Sequence, residues 1–139
     1  MSGLRRIIHL FNEASFTNDD FYRFLCLWKI LEIRYPNRQT RSAVDWINQI
    51  LSSNINIYIH DYIKGLQSRD VDVGRHFKDK FRSSIVHITR PPIKISFKRN
   101  DFIDIKKACY SLDSFVRYFI RNELNLPKRC IKLNVLKYL

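Results

Sequence analysis

Glycine occurs three times and proline four times in 139 residues, so turn formers are scarce, while apolar residues make up 45% and aromatics 14%. Such a chain has material for a packed core and little to interrupt helices, and it reads as globular, ordered and helical. Internal repeats, low-complexity stretches and interdomain linkers are missing too. The length fits one domain and excludes a large multidomain enzyme.

Cysteine is equally sparse. Cys26, Cys109 and Cys130 form no CxxC or Cys/His metal spacing, and an odd number closes no disulfide framework. Reduced thiols and a cytoplasmic location are expected, with Cys26 and Cys109 serving as small buried hydrophobes. The longest apolar region, residues 21–33, is broken by Arg23, Lys29 and Glu32, short of the roughly 20 residues a membrane span needs. Residues 1–11 carry Arg5 and Arg6 but no small-residue cleavage site, so no secretory signal is expected. Phosphate-binding glycine loops, HExxH, GxSxG and calcium-loop patterns are absent, and His9, His60, His76 and His87 stand apart. No metal and no cofactor is expected.

Acidic residues are few as well: 13 Asp plus Glu face 25 Lys plus Arg, for a net charge of +12. A surface of one sign selects polyanions, or else an acidic protein partner.

Against that background the periodicity predicts about four long helices in an up-and-down bundle. Thr17 is read as an N-cap, and the stripe Phe21, Phe24, Leu25, Trp28, Leu31, Tyr35 runs to Pro36. Cys26, Leu27, Ile30 and Ile33 add a second apolar flank, which suggests a central helix partly covered by another subunit. Thr40 caps a second helix through Val44, Ile47, Ile50 and Leu51. Residues 54–65 fit strand alternation and helical spacing alike, and are read as helix. After a polar connection at residues 70–74, the stripe Phe77, Phe81, Ile85, Ile88 ends at Pro91 and Pro92. A short basic extended loop precedes the last helix, whose stripe is Phe102, Ile105, Cys109, Leu112, Phe115, Val116, Phe119 and Ile120. The domain core is placed at about residues 17–126, with a basic tail at 127–139. Trp46, Tyr58, Tyr110 and Tyr118 are read as core or interface residues in preference to nucleobase platforms.

One constellation carries chemistry. Arg82, Ser83 and His87 lie on the helix predicted by the stripe that begins at Phe77, with four residues between the arginine and the histidine. Spacing of this kind is cheap: about one such pair is expected by chance, and Arg69 with His76 makes a second. Arg69 and His76, however, span the polar connection and share no predicted scaffold. At 100° per residue Arg82 and His87 sit roughly 140° apart at the edges of the core stripe, so two copies of the helix across a twofold axis would join them better than one.

The Leu-Trp-Lys-Ile-Leu-Glu run within residues 21–32, the Phe-Arg-Ser-Ser-Ile-Val-His segment at 81–87 and the closing amphipathic helix through Arg121 together resemble a HEPN domain over about residues 17–126. The resemblance implies a dimerising helical bundle and a metal-independent endoribonuclease of toxin, antiphage or RNA-processing systems, with a regulatory partner such as an antitoxin. Ser83 stands where asparagine is frequent in that family.

The residues support the chemistry in their own right. Cleaving RNA without metal needs a base for the 2′-hydroxyl, an acid for the 5′-oxygen and a cation for the phosphorane. His87 titrates near neutrality and suits either proton role, and Arg82 offers a permanent fork of donors. Ser83 can orient the phosphate or the imidazole. Glu32, on the stripe of Trp28 and Tyr35, needs a cationic partner, with Arg82 one choice. Arg90, Lys94, Lys98 and Arg99 follow the motif and can track an RNA backbone. Two other readings stand beside the nuclease: a noncatalytic helical module that binds RNA or a protein partner, and a DNA-binding helical protein, for which no recognition helix is evident.

Overall fold

The computed structural model describes residues 2–34, 42–53, 57–82 and 99–124. The described residues are 85% helical and contain no strand, so the protein is all-α. There are six helices among them, fewer of them long than periodicity suggests: α1 (Ser2–Phe16), α2 (Asp20–Arg34), α3 (Ala43–Ser52), α4 (Asp61–Ser68), α5 (Val73–His76) and α6 (Arg99–Tyr118). Two of them change gait without a break. α5 continues as a π-helical segment, Phe77–Arg82, and α6 as another, Phe119–Glu123.

α2 is the axis of the bundle. Phe24, Leu27, Ile30 and Leu31 are fully buried, and α1, α3, α6 and the π segment after α5 all pack on it. Most of its apolar circumference is therefore covered within one chain, while the strip of Tyr22, Leu25, Lys29 and Ile33 is exposed or only part-buried. α1 supplies Ile7, Phe11 and Ala14, an i, i+4, i+7 stripe against α2, so the core begins well before residue 17.

The α1–α2 corner is fastened by one side chain. Arg23 donates to Ala14 O (3.0 Å), to Thr17 O and to Asp20 Oδ1 (2.8 Å), satisfying carbonyls that the end of α1 leaves open. Asp19 caps α2, its Oδ1 accepting from Phe21 N at 2.9 Å, while Thr17 Oγ1 accepts from Asp19 N. The cap thus sits two residues after the threonine read from the sequence.

Ser42 caps α3 through Asp45 N, and Thr40 lies outside the described residues. Residues 57–60 are not helical, and α4 starts only at Asp61, which corrects the continuous helix read over 54–65. α4 ends in a paired turn: Val71 N donates to Leu66 O and Asp70 N to Gln67 O, with Asp70 in the left-handed region at φ 55°. Aspartate tolerates that conformation where glycine is the usual choice.

The polar connection is itself structural. Asp72 caps α5, accepting from Arg75 N at 3.0 Å and from Asn48 Nδ2 at 2.7 Å, and Asn48 Oδ1 accepts from Gly74 N at 3.0 Å. This network holds α5 on α3 so closely that a Cβ on Gly74 would run into the carbonyl oxygen of Val44, with Val44 C and Cα 3.0 Å away. From the other side of α3, buried Trp46 donates through Nε1 to Glu123 Oε1 at 2.7 Å, tying α3 to the end of α6. Among the described residues no helix is long and apolar enough to cross a membrane.

Gly74→Ala should therefore cost about 1–3 kcal/mol of stability, because the α3–α5 approach must open. Gly65, inside α4 with no atom within 4 Å of where a Cβ would stand, is the control: Gly65→Ala should be neutral or stabilising by up to about 1 kcal/mol. Urea denaturation of the two variants checks both.

Candidate functional site

Arg82 closes the π segment and meets the last turn of α2. Its Nε donates to Glu32 Oε1 at 3.1 Å, with both side chains roughly three-tenths exposed. The contact uses one of the guanidinium's five N–H donors and fixes its plane. It also gives the misplaced carboxylate of α2 its cation.

Of the other predicted site residues, Ser83, His87, Arg90, Lys94 and Lys98 lie outside the described residues, as does the extended loop, and Arg99 is the first residue of α6 rather than part of that loop. The 140° separation of Arg82 and His87 assumes an α-helix throughout. Residues 77–82 are π-helical, with i→i+5 bonding, and the stretch from Arg82 to His87 that the angle spans lies outside the described residues.

A second cluster is not evident from the sequence. His76 Nε2 lies 2.8 Å from Tyr62 Oη, bridging α5 to α4, and its ring packs edge-on to Phe81 at 5.6 Å. Lys80 pairs with Asp104 of α6 at 2.8 Å. Arg69, at the C-terminal end of α4, is near enough for its charge to act on both Tyr62 and His76. The Arg69–His76 pair, which shares no scaffold by periodicity, is thus gathered around Tyr62 by the turn at Asp70. Burial holds the His76 imidazole below its ordinary value of 6.5, the Lys80 charge pushes the same way, and Asp104 opposes both. Burial also raises the Tyr62 phenol. Nothing in the sequence pattern joins Tyr62 to His76; only the α4–α5 turn does.

Two clefts open between the segment before α4 and the outer face of α6. One, of about 490 Å³, has Tyr58, Tyr110, Arg69 and Lys107 in its walls. The other, of about 500 Å³, is walled by Tyr58, Ser114, Arg117 and Arg121. Tyr58 is 70% exposed and Tyr110 56%, unusual for large rings. Neither is a core residue, so of the core-or-interface expectation the core half fails for these two, whereas Trp46 is fully buried. For Tyr110 the available signal was the absence of an apolar residue at i±3 or i±4, where Lys106, Lys107, Asp113 and Ser114 stand; Tyr58, with Ile55 and Tyr62 at those spacings, gave no such signal.

The two buried cysteines are free. Burial pushes the Cys109 thiol up to about 12 and raises Cys26 as well, so both are inert at neutral pH. Among the described residues no three His, Cys, Asp or Glu side chains converge as a metal site requires.

A basic, all-α protein with solvent-facing clefts is the class these features define. The chain belongs to the family of the methylamine utilization protein MauJ, whose model matches residues 7–121. No HEPN family model matches, which overturns the HEPN resemblance. That resemblance rested on a short, degenerate Arg-to-His spacing and on an order of amphipathic helices that many bundles share. No curated protein and no solved structure matches the chain.

His76 generates a pH dependence of stability. Its folded-state value is depressed, so the unfolded chain binds the proton more readily; stability is full above about 6.5 and falls as pH drops from there toward the folded-state value. Denaturation midpoints at about pH 7.5 and about pH 5.5 should show that loss in the wild type and a shallower dependence in His76→Asn. An unchanged slope in the variant would assign the dependence to other groups.

Proposed function

We propose that this protein is a basic helical module that binds RNA. The observation that carries the reading is the cleft beside α4, where Arg69 and Lys107 stand among tyrosines and neither pairs with a carboxylate among the described residues. The ion pairs of Arg23, Lys80, Arg82 and Arg117 each set one cation against one carboxylate and leave the net charge of +12 unchanged. Phosphate binding by such a surface works through counterion release. The family's description points to methylamine utilization. A protonated amine is itself a cation, and the charge of these clefts disfavours it as their ligand. The buried free thiols fit the cytoplasm, where we place the protein.

A second reading is metal-independent RNA cleavage through Arg82, Ser83 and His87. The Glu32 contact favours it, because a carboxylate that fixes the arginine plane one residue before Ser83 is the support a phosphate clamp needs. This reading calls for a homodimer, in which two copies of His87 divide the base and acid roles, and for a neutralising partner such as an antitoxin.

One set of assays tests both readings. The wild type should bind single-stranded and structured RNA with an affinity that falls at least about tenfold between about 50 and 200 mM salt. Failure to bind at the lower salt would overturn the RNA reading. Incubation of the same RNAs in excess EDTA should yield 2′,3′-cyclic phosphate ends if the protein cleaves. In that case His87→Ala and Arg82→Ala should abolish the products while circular dichroism stays unchanged, and Glu32→Gln should reduce them. Binding without products leaves the noncatalytic module.

A further inference from the structure

The two clefts lie side by side along α6, meeting at Tyr58, and form the two halves of one candidate groove. Tyr58 forms a wall of each, and the floor of both is the outward stripe of α6 and its π continuation: Lys107, Tyr110, Ser114, Arg117 and Arg121, spaced by three or four residues. That spacing puts them on one helical face, opposite the buried stripe of Ile105, Leu112, Phe115 and Phe119. From Lys107 to Arg121 the face runs about 20 Å at roughly 1.5 Å per residue, a track for several nucleotides.

The ring at the centre of the groove is held in place. Tyr58 meets the His60 imidazole edge-on at 4.7 Å and an interplanar angle of 88°, and His60 Nε2 lies 3.0 Å from Ser114 Oγ on α6. An exposed ring fixed from behind by a hydrogen-bonded imidazole loses little freedom when a flat partner stacks on it. Tyr110 offers a second exposed ring one turn before Ser114 along α6. Cations flank both rings, with Arg69 and Lys107 at one end and Arg117 and Arg121 at the other. Carboxylates are fewer: Asp61 lines the first cleft, and Asp113 pairs with Arg117 at 2.6 Å.

Aromatic faces alternating with cations along a groove suit a strand whose bases are unpaired, since a duplex hides its base faces. We propose that this groove binds single-stranded nucleic acid, with Tyr58 and Tyr110 stacking on bases and Lys107, Arg69 and Arg121 meeting phosphates. The inference rests on the RNA-binding reading and adds the strandedness of the ligand and the residues that select it. His60 and Ser114 are positioning residues, acting through the Tyr58 ring.

Fluorescence anisotropy of labelled oligouridylate, oligothymidylate and a short RNA duplex at about 150 mM salt tests it. Both single strands should bind at least about tenfold tighter than the duplex; a preference of oligouridylate over oligothymidylate would identify the ligand as RNA, and the reverse as DNA. Tyr58→Leu and Tyr110→Leu should each weaken single-strand binding about tenfold, Tyr58→Phe should retain it, and duplex binding should stay unchanged. Tyr58 is largely exposed, so circular dichroism and the denaturation midpoint should not move. Undiminished single-strand binding by folded Tyr58→Leu and Tyr110→Leu proteins, or equal affinity for duplex, would overturn the groove and leave RNA binding standing. No binding of any oligonucleotide by the wild type would remove both.

Discussion

Burial of α2 is the constraint on which the rest depends. A helix with Phe24, Leu27, Trp28, Ile30 and Leu31 all shielded from water must be surrounded, and in this chain the other helices do the surrounding. Two of its charged side chains intrude into that environment, and each is answered. Arg23 is committed to the α1 carbonyls and Asp20, and Glu32 to Arg82. Because α2 is held by its neighbours over most of its circumference, Arg82 inherits its position from the core, and the same core sets where the outward stripe of α6 points.

The fold class was legible because apolar spacing and burial coincide over long stretches. In α6 and its π continuation the predicted residues from Ile105 to Ile120 are buried, and only Phe102 is turned outward, at 53% exposure beside Phe21. What was not legible involved short-range chemistry with long-range consequences. Val73 and Gly74 looked like loop because glycine and aspartate punctuate turns, yet the glycine is there for the approach to Val44. Residues 57–60 alternate polar and apolar in a way that fits two periods, and the start of α4 is decided by its packing on α5 and α6.

For the site, the need of Glu32 for a cation was readable because a carboxylate on an apolar stripe demands one; that Arg82 is the one chosen comes from the fold. The Tyr62–His76 contact and the Tyr58–His60–Ser114 chain were not readable, since the last joins residues 54 apart in sequence. The family-level inference failed for a related reason. A motif defined by spacing alone carries little information in an arginine-rich chain, and only the match over residues 7–121 resolves the family. The groove on α6, by contrast, lays out charge and aromatic faces together on one surface, through residues no short motif connects.

The π segment from Phe77 to Arg82 has a bearing on any comparison of this protein with its kin. A π turn accommodates one residue more than the α turn it replaces, and so amounts to an insertion absorbed inside a helix. Losing one residue there would leave a helix of ordinary pitch with its flanks in nearly the same register, so that Arg82 would keep its place beside Glu32 while the count of residues leading to it changed. Between this chain and a relative without the bulge, equal counts along the sequence would mark different places in space. In this chain the place of Arg82 is therefore marked by the carboxylate it meets on the buried α2, and not by the ordinal distance between an arginine and the next histidine.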